Sequence, residues 1–300
     1  MKKSRSNRPQ IFPRKKFIFR CRDYRLDLGQ KTKIMGIVNV TPDSFSGDGR
    51  RTQTAAVRLA KKLIKEGADI IDVGGESSRP GASAISVKEE LKRVIPVVKT
   101  LAKNTIPISI DTYKPEVATA ALAAGASIVN NIRGTTLNKS LLKIVKKYNA
   151  GIILMHMRGT PKTMQKKISY HNLLSDIIGP LRKSIEICLE IGIKSDRIII
   201  DPGIGFGKTA EQNLEIINRL PEFQTLNTPI LIGTSRKSFI GKILKQDVHR
   251  RLMGTAATVT TGILKGAHIM RVHDVKAIAQ TVKVTDAIIN QKMTLHNNYK

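Results

Sequence analysis

An alternation constrains the fold of this chain more than any other feature. Short apolar, β-branched runs at 34–39, 70–74, 106–111, 127–130, 152–156, 198–201, 230–233 and 267–271 each stop abruptly at a polar or flexible residue. Segments with helical spacing separate them. Ala55, Leu59, Leu63 and Ile64 recur at helical intervals among Lys61, Lys62 and Lys65, and Gly67 supplies a stop. Runs that are apolar throughout suit strands covered on both faces, the condition of a parallel sheet. Eight strand–helix units predict an α/β fold of the TIM (β/α)8 barrel type, with a doubly wound open sheet as the alternative. Local signals agree. Ser86 with Glu89 has the spacing of a capping box, Pro115 suits a first helical turn, Asp274 is placed to cap the last helix, and Pro96 predicts a kink. Ahead of the first unit, 17–19 and 26–28 have the pattern of a short β-hairpin.

The 300 residues are enough for one large domain, assigned to 17–300, behind a basic, disordered arm at 1–16. The first 22 residues carry nine Lys or Arg and no acid, but lack the apolar core of a secretory signal. The formal charge is +29, from 52 basic against 23 acidic residues. Lys is spread over almost every predicted helix rather than gathered in a stripe. With no aromatic interleaving and no recognisable binding module, no specific nucleic-acid partner is expected. No apolar run approaches the roughly 20 residues of a membrane span, so no membrane partner is expected either. Cys21 and Cys188 are far apart and outline neither a zinc site nor a disulfide framework, which fits a reducing cytoplasm, the expected location.

In such a barrel the working residues sit at the carboxyl ends of the strands. Those ends hold Asn39, Glu76 to Gly81, Asp111, Asn130, Met155 with His156, Asp201 to Gly203, Ser235 to Lys237, and Arg271 to His273. Turn chemistry accounts for a few Asp or Asn residues but not for Arg, Lys and His at the last two ends. Asp111, Asn130 and Asp201 are acceptors suited to a ring bearing amino and N–H groups. Lys237, Arg271 and His273 are donors suited to a phosphate or pyrophosphate. The bland alternative for each carboxylate is an ion pair with Lys237 or Arg271. Gly203-Ile204-Gly205-Phe206-Gly207-Lys208-Thr209 imitates a phosphate-binding loop, but Pro202 occupies the position where that motif needs glycine. Its glycines instead allow close backbone approach to a flat ligand, which brings Gly205 and Phe206 into the site. Asp43, Asp48 and Glu76 are candidates for a metal cluster, and Asn39 is consistent with Mg²⁺ held mainly by pyrophosphate and water.

The motifs together resemble the dihydropteroate synthase family. The matching segments are Gly36-Ile37-Val38-Asn39-Val40-Thr41-Pro42-Asp43-Ser44-Phe45-Ser46, Gly74-Gly75-Glu76-Ser77-Ser78-Arg79-Pro80-Gly81-Ala82 and Ser109-Ile110-Asp111-Thr112. They continue with Met155-His156-Met157, Asp201 to Lys208, Ser235-Arg236-Lys237-Ser238 and Arg271-Val272-His273-Asp274. The resemblance implies condensation of 7,8-dihydropterin-6-ylmethyl diphosphate with 4-aminobenzoate, giving 7,8-dihydropteroate and pyrophosphate. It implies that Asp111, Asn130 and Asp201 hold the pterin with Lys237 near its ring. Asn39 would contact the metal-bound pyrophosphate, and Arg271 with His273 the leaving group. Ser78, Arg79 and Pro80 would close over the substrates, with Phe45, Pro80, Ser235 and Lys237 bordering the 4-aminobenzoate. Lys237, Asp111, Asp201, Arg271 and His273 are the catalytic candidates, and Met155, Gly205 and Phe206 join the substrate contacts. A homodimer through helices near the carboxyl end is also implied.

Three positions depart from the family pattern: Ser78 for the usual Thr, Asn131 for the usual Asp, and Asp48 displaced by one residue in the first loop. The nearest rival is a methyltetrahydrofolate-binding methyltransferase domain. It shares the acceptors but has no pyrophosphate to engage Ser235-Arg236-Lys237 and Arg271-Val272-His273.

Overall fold

A computed structural model of the chain describes residues 14–41, 49–166 and 168–291. The first-loop expectations for Asp43, Phe45 and Asp48 lie outside these residues. The hairpin forms as expected, with β1 (Phe17–Cys21) antiparallel to β2 (Tyr24–Leu28). Eight parallel strands follow: β3 (Lys33–Asn39), β4 (Ile70–Gly74), β5 (Ile108–Asp111), β6 (Ile128–Asn131), β7 (Gly151–Met155), β8 (Ile198–Asp201), β9 (Leu231–Ile232) and β10 (Ile269–Val272). They run in the order β8-β7-β6-β5-β4-β3-β10-β9, and an isolated parallel bridge between Ile200 and Ile230 joins the two outer strands. The sheet thus closes on itself into the predicted barrel rather than remaining open.

Helices α1 (Gly49–Lys65), α2 (Val87–Leu101), α3 (Pro115–Ala123), α4 (Lys139–Lys147), α5 (Ser175–Ile191), α6 (Ala210–Asn218), α7 (Ser238–Leu244), α8 (Leu252–Leu264) and α9 (Val275–Asn290) pack outside it. None is long and apolar enough to cross a membrane. Gly67 ends α1 in the left-handed region, φ +104°, while Ala68 N–H returns to the Leu63 carbonyl at 3.0 Å. The capping box is only half formed. Ser86 Oγ accepts from the Glu89 N–H at 3.2 Å, but the Glu89 carboxylate turns to Arg93 at 2.8 Å, a charged partner available one turn on. Asp274 likewise sits at the head of α9 without capping it, because its two carboxylate oxygens accept from Nε and Nη2 of Arg236.

Successive side chains of a strand face opposite ways. One set, including Ile34, Val38, Val73, Ile110, Val129, Leu154, Ile200 and Met270, packs under the helices. The other set faces inward. At the amino-terminal end of the strands, Met35, Ile70, Ile128, Ile153, Ile199, Leu231 and Ile269 join Phe19, Cys21 and Leu28 of the hairpin in one apolar cluster. The hairpin therefore plugs the bottom of the barrel. Arg22 fastens its turn by donating to the Leu122 and Ala126 carbonyls at 2.7 and 3.0 Å. Just ahead of the hairpin, two residues contact the barrel. Arg14 is buried against Asp286 at 2.7 Å, and the Lys15 carbonyl lies 2.9 Å from His268 Nε2.

Candidate active site

The other end of the barrel is polar, and strand register builds it. Asn39 is paired with Gly74, Gly74 with Asp111, and Asp111 with Asn130, so these strand ends lie at one level across β3 to β6. On the next pair, Met155 of β7 is level with Asp201 of β8. Gly74 lies between its neighbours in this row, where a Cβ would be in ordinary contact with Asp111 Cβ at 3.5 Å and Asn39 Oδ1 at 3.6 Å. A cleft is lined by Ser78, Asp111, Asn130, Met155, Asp201, Phe206, Lys237 and Arg271, with Ile132, Ile204 and Gly233.

Below its floor runs an ionic network that strand-end reading does not anticipate. Asp72, fully buried in the middle of β4, accepts from Arg271 Nε at 2.7 Å and from Asn130 Nδ2 at 3.0 Å. Arg271 Nη2 donates to Asp111 Oδ2 at 2.9 Å. The ion-pair alternative raised for the carboxylates thus describes Asp111, and Arg271 is held between two carboxylates. Burial, then the charge of Asp72, lifts Asp111 to about 7 against the pull of Arg271. The signal for Asp72 is present in the sequence. It lies two residues from the inward-facing Ile70, so it faces the barrel interior, where a lone carboxylate is costly.

On the opposite wall, burial raises Asp201 to about 6, while the Gly203 N–H, 2.7 Å from Oδ1, and then Lys237 oppose the shift. Lys237 is lowered to about 8 by burial and then by Arg271. Its stem runs beside Gly205, where a Cβ would come within 3.0 Å of Lys237 Cδ, and its ammonium sits 4.1 Å from the Phe206 ring centroid. Lys208 settles what the glycine-rich loop does. Its buried ammonium donates to the carbonyls of Gly203 and Phe206 at 2.9 and 3.0 Å and lies 3.1 Å from His156 Nδ1. It braces the loop from behind and does not face the cleft as a phosphate-binding lysine would. Asn213 completes the brace by accepting from the Gly205 N–H at 2.6 Å. Burial, then Lys208, drives His156 down to about 2, so its ring is neutral.

Ser235 Oγ lies 3.0 Å from His273 Nδ1 and accepts the His273 backbone N–H at 3.2 Å. His273 is lowered to about 3 by burial and then by Arg271. It is therefore neutral and keeps a single ring N–H to donate. Ser78 reaches the cleft, whereas Arg79 and Pro80 are exposed. Their loop is tied down at both ends. Glu76 accepts from Lys114 at 2.6 Å, Tyr113 at 3.1 Å and the Ile85 N–H at 3.0 Å, and the Gly81 N–H reaches the Pro161 carbonyl at 2.9 Å. Glu76 is thus engaged structurally, and no group of three His, Cys, Asp or Glu among the described residues could hold a metal. Asn131 is buried and accepts the Arg133 N–H at 2.9 Å, so the missing charge at this position is replaced by a local turn.

Residues 35–273 match the family described as pterin binding enzyme. A dihydropteroate synthase of Synechocystis is 48% identical over 265 residues, 87% of this chain and 92% of that protein. The structure of a Yersinia pestis dihydropteroate synthase in complex with a sulfonamide drug is similar with a TM-score of 0.86 at 37% identity, over 92% of this chain and 100% of that one. A Clostridium difficile dihydropteroate synthase, crystallised in the presence of pteroic acid, gives 0.83 at 45% identity, over 89% and 100%. The chain belongs to the pterin-binding enzyme family and, within it, to the dihydropteroate synthases.

Proposed function

We propose that the polar rim of the barrel condenses 7,8-dihydropterin-6-ylmethyl diphosphate with 4-aminobenzoate, a transferase step of folate biosynthesis. One observation carries the assignment of residues: three acceptors, Asp111, Asn130 and Asp201, share a single cleft with two cations, Lys237 and Arg271. The amino and ring N–H groups of a pterin are donors that those acceptors match. Asn130 already spends an amide N–H on Asp72, so its carbonyl oxygen is the group left for the ligand. Met155, Gly205 and Phe206 supply the flat walls. Lys237 stands beside the ring, and Arg271 with His273 faces the diphosphate end. Ser78, Arg79 and Pro80 close over the substrates, and Pro80, Ser235 and Lys237 border the 4-aminobenzoate.

A single neutral amide oxygen at the rim fits a hard cation whose other ligands come from substrate and water, so Asn39 would hold Mg²⁺ there. When bound, that ion supplies charge neutralisation on the departing pyrophosphate. The carbon–oxygen bond breaks with its electron pair going to pyrophosphate. The lone pair of the amine forms the new carbon–nitrogen bond, and the amine proton passes to solvent. Donors fixed in advance around the growing negative charge favour this step. No side-chain nucleophile is required.

The test is product formation. The isolated protein with the pterin diphosphate, 4-aminobenzoate and Mg²⁺ is expected to give 7,8-dihydropteroate, identified by mass, in equal amount with pyrophosphate. Pyrophosphate released at the same rate without the amine would overturn the reading.

The same proposal includes one domain over 17–300, a basic arm before it, a cytoplasmic setting and a homodimer. Met253, Val284 and Ile288 on α8 and α9 are 78%, 61% and 65% exposed, which supports association through these helices. Sedimentation at twice the chain mass is expected.

A further inference from the structure

The residue left over by the proposed chemistry is Asp72. It is buried, lines no part of the cleft, and yet touches two residues that do. Both contacts are to one oxygen. Oδ2 accepts from Arg271 Nε at 2.7 Å and from Asn130 Nδ2 at 3.0 Å, while Oδ1 has no partner among the described residues. A buried carboxylate with one oxygen unsatisfied is costly, so a purely structural role accounts for it poorly.

We infer that Asp72 is a positioning residue that sets the recognition of the heterocycle: it makes Asn130 an obligate acceptor and holds Arg271 beside Asp111. A carboxylate can only accept, so the Asn130 amide cannot turn its oxygen toward Asp72 without two acceptors facing each other. Its NH₂ stays below and its carbonyl oxygen stays in the cleft. The same Asp72 oxygen holds the Nε edge of Arg271, leaving Nη2 for Asp111. The rim is thereby set to receive a ligand edge made of donors, such as the 2-amino and ring N–H groups of a pterin. A 2-oxo pteridine, with an acceptor in place of that amino group, is disfavoured.

This inference rests on the proposed pterin site and is tested with Asp72→Asn and Asp72→Leu. Asp72→Asn keeps the shape but can itself donate, which allows the Asn130 amide to flip. Asp72→Leu removes the acceptor altogether, and if it fails to fold, the isosteric variant carries the test. Steady-state kinetics are expected to show KM for the pterin diphosphate raised about tenfold to a hundredfold, the weight of one charge-assisted hydrogen bond, with KM for 4-aminobenzoate little changed. Calorimetric titration with 6-hydroxymethyl-7,8-dihydropterin and with its 2-oxo counterpart gives the second readout. The preference for the amino compound is expected to fall at least about fivefold in Asp72→Asn, which a merely structural residue would not cause. Unchanged KM and unchanged preference in a folded Asp72→Asn protein would overturn the inference. Failure of the wild-type protein to bind the amino compound would instead overturn the site on which it rests.

Discussion

At one end of the barrel Met35, Ile70, Ile128, Ile153, Ile199, Leu231 and Ile269 close around Phe19, Cys21 and Leu28. One inward position further along several of the same strands stand Asp72, Asn130, Asp201 and Arg271. A step of two residues, about 7 Å along a strand, converts a sealed apolar plug into a cleft of opposing charges. The strands cannot tell the two ends apart by their backbone, which is hydrogen-bonded alike in both. The difference lies wholly in the inward side chains and in what caps each end. The hairpin covers the apolar end below, whereas above, the inward side chains line the cleft. Apolar burial at the bottom offsets the placing of Asp111, Asp201 and Lys208 in surroundings that disfavour their charge.

That division can be broken from either side. The largest effect is expected from Lys237→Ala, which removes a cation from the cleft wall. Pyrophosphate release should fall by about 100- to 1000-fold while the melting temperature barely moves. Next comes the plug. Phe19→Ala leaves a void at the centre of the bottom cluster and should destabilise by about 3–5 kcal/mol in urea unfolding, with KM values of the folded fraction unchanged. Lys208→Met lies between the two ends in character. It leaves the Gly203 and Phe206 carbonyls without their donor, so both stability and affinity for the pterin diphosphate should drop, the first by about 1–3 kcal/mol.

A smaller effect sharpens the upper half alone. Burial holds Asp111 near 7 and Asp201 near 6, above the usual carboxylate range, and holds Lys237 near 8, below the usual lysine value. Protonation turns one oxygen of each carboxyl into an O–H donor that opposes the donor edge of the ligand, so kcat/KM rises as pH climbs through 6 to 7. Lys237 loses its charge as pH passes about 8, so the rate falls again. A profile flat from pH 6 to 9 would contradict these assignments. The smallest effect is expected from Ser78→Thr, which restores a methyl at the cleft edge and should change KM by no more than about threefold.

Much of this architecture is legible in the amino-acid sequence. Apolar runs ending in polar residues locate eight strands to within two residues, because burial on both faces leaves few alternatives in composition. Register then brings Asn39, Asp111 and Asn130 to one level, which is why strand ends alone suffice to find them. Asp72 is not legible in that way, since it interrupts an apolar run instead of ending it, and only counting inward positions in twos exposes it. Lys208 is legible as a failed phosphate motif, but its turn toward the loop's own carbonyls depends on the left-handed glycines 203, 205 and 207. Asp274 and Glu89 show the limit of capping rules. In both, an arginine brought within reach by the fold takes the carboxylate that local sequence assigns to a helix end.

The most direct test of the division is turnover per folded molecule in Asp201→Asn and Phe19→Ala, measured side by side with the folded fraction taken from unfolding curves. Asp201→Asn is expected to stay folded and lose about 100-fold or more in turnover, while Phe19→Ala unfolds readily yet turns over normally per folded molecule. Equal loss of turnover per folded molecule in both would contradict the account.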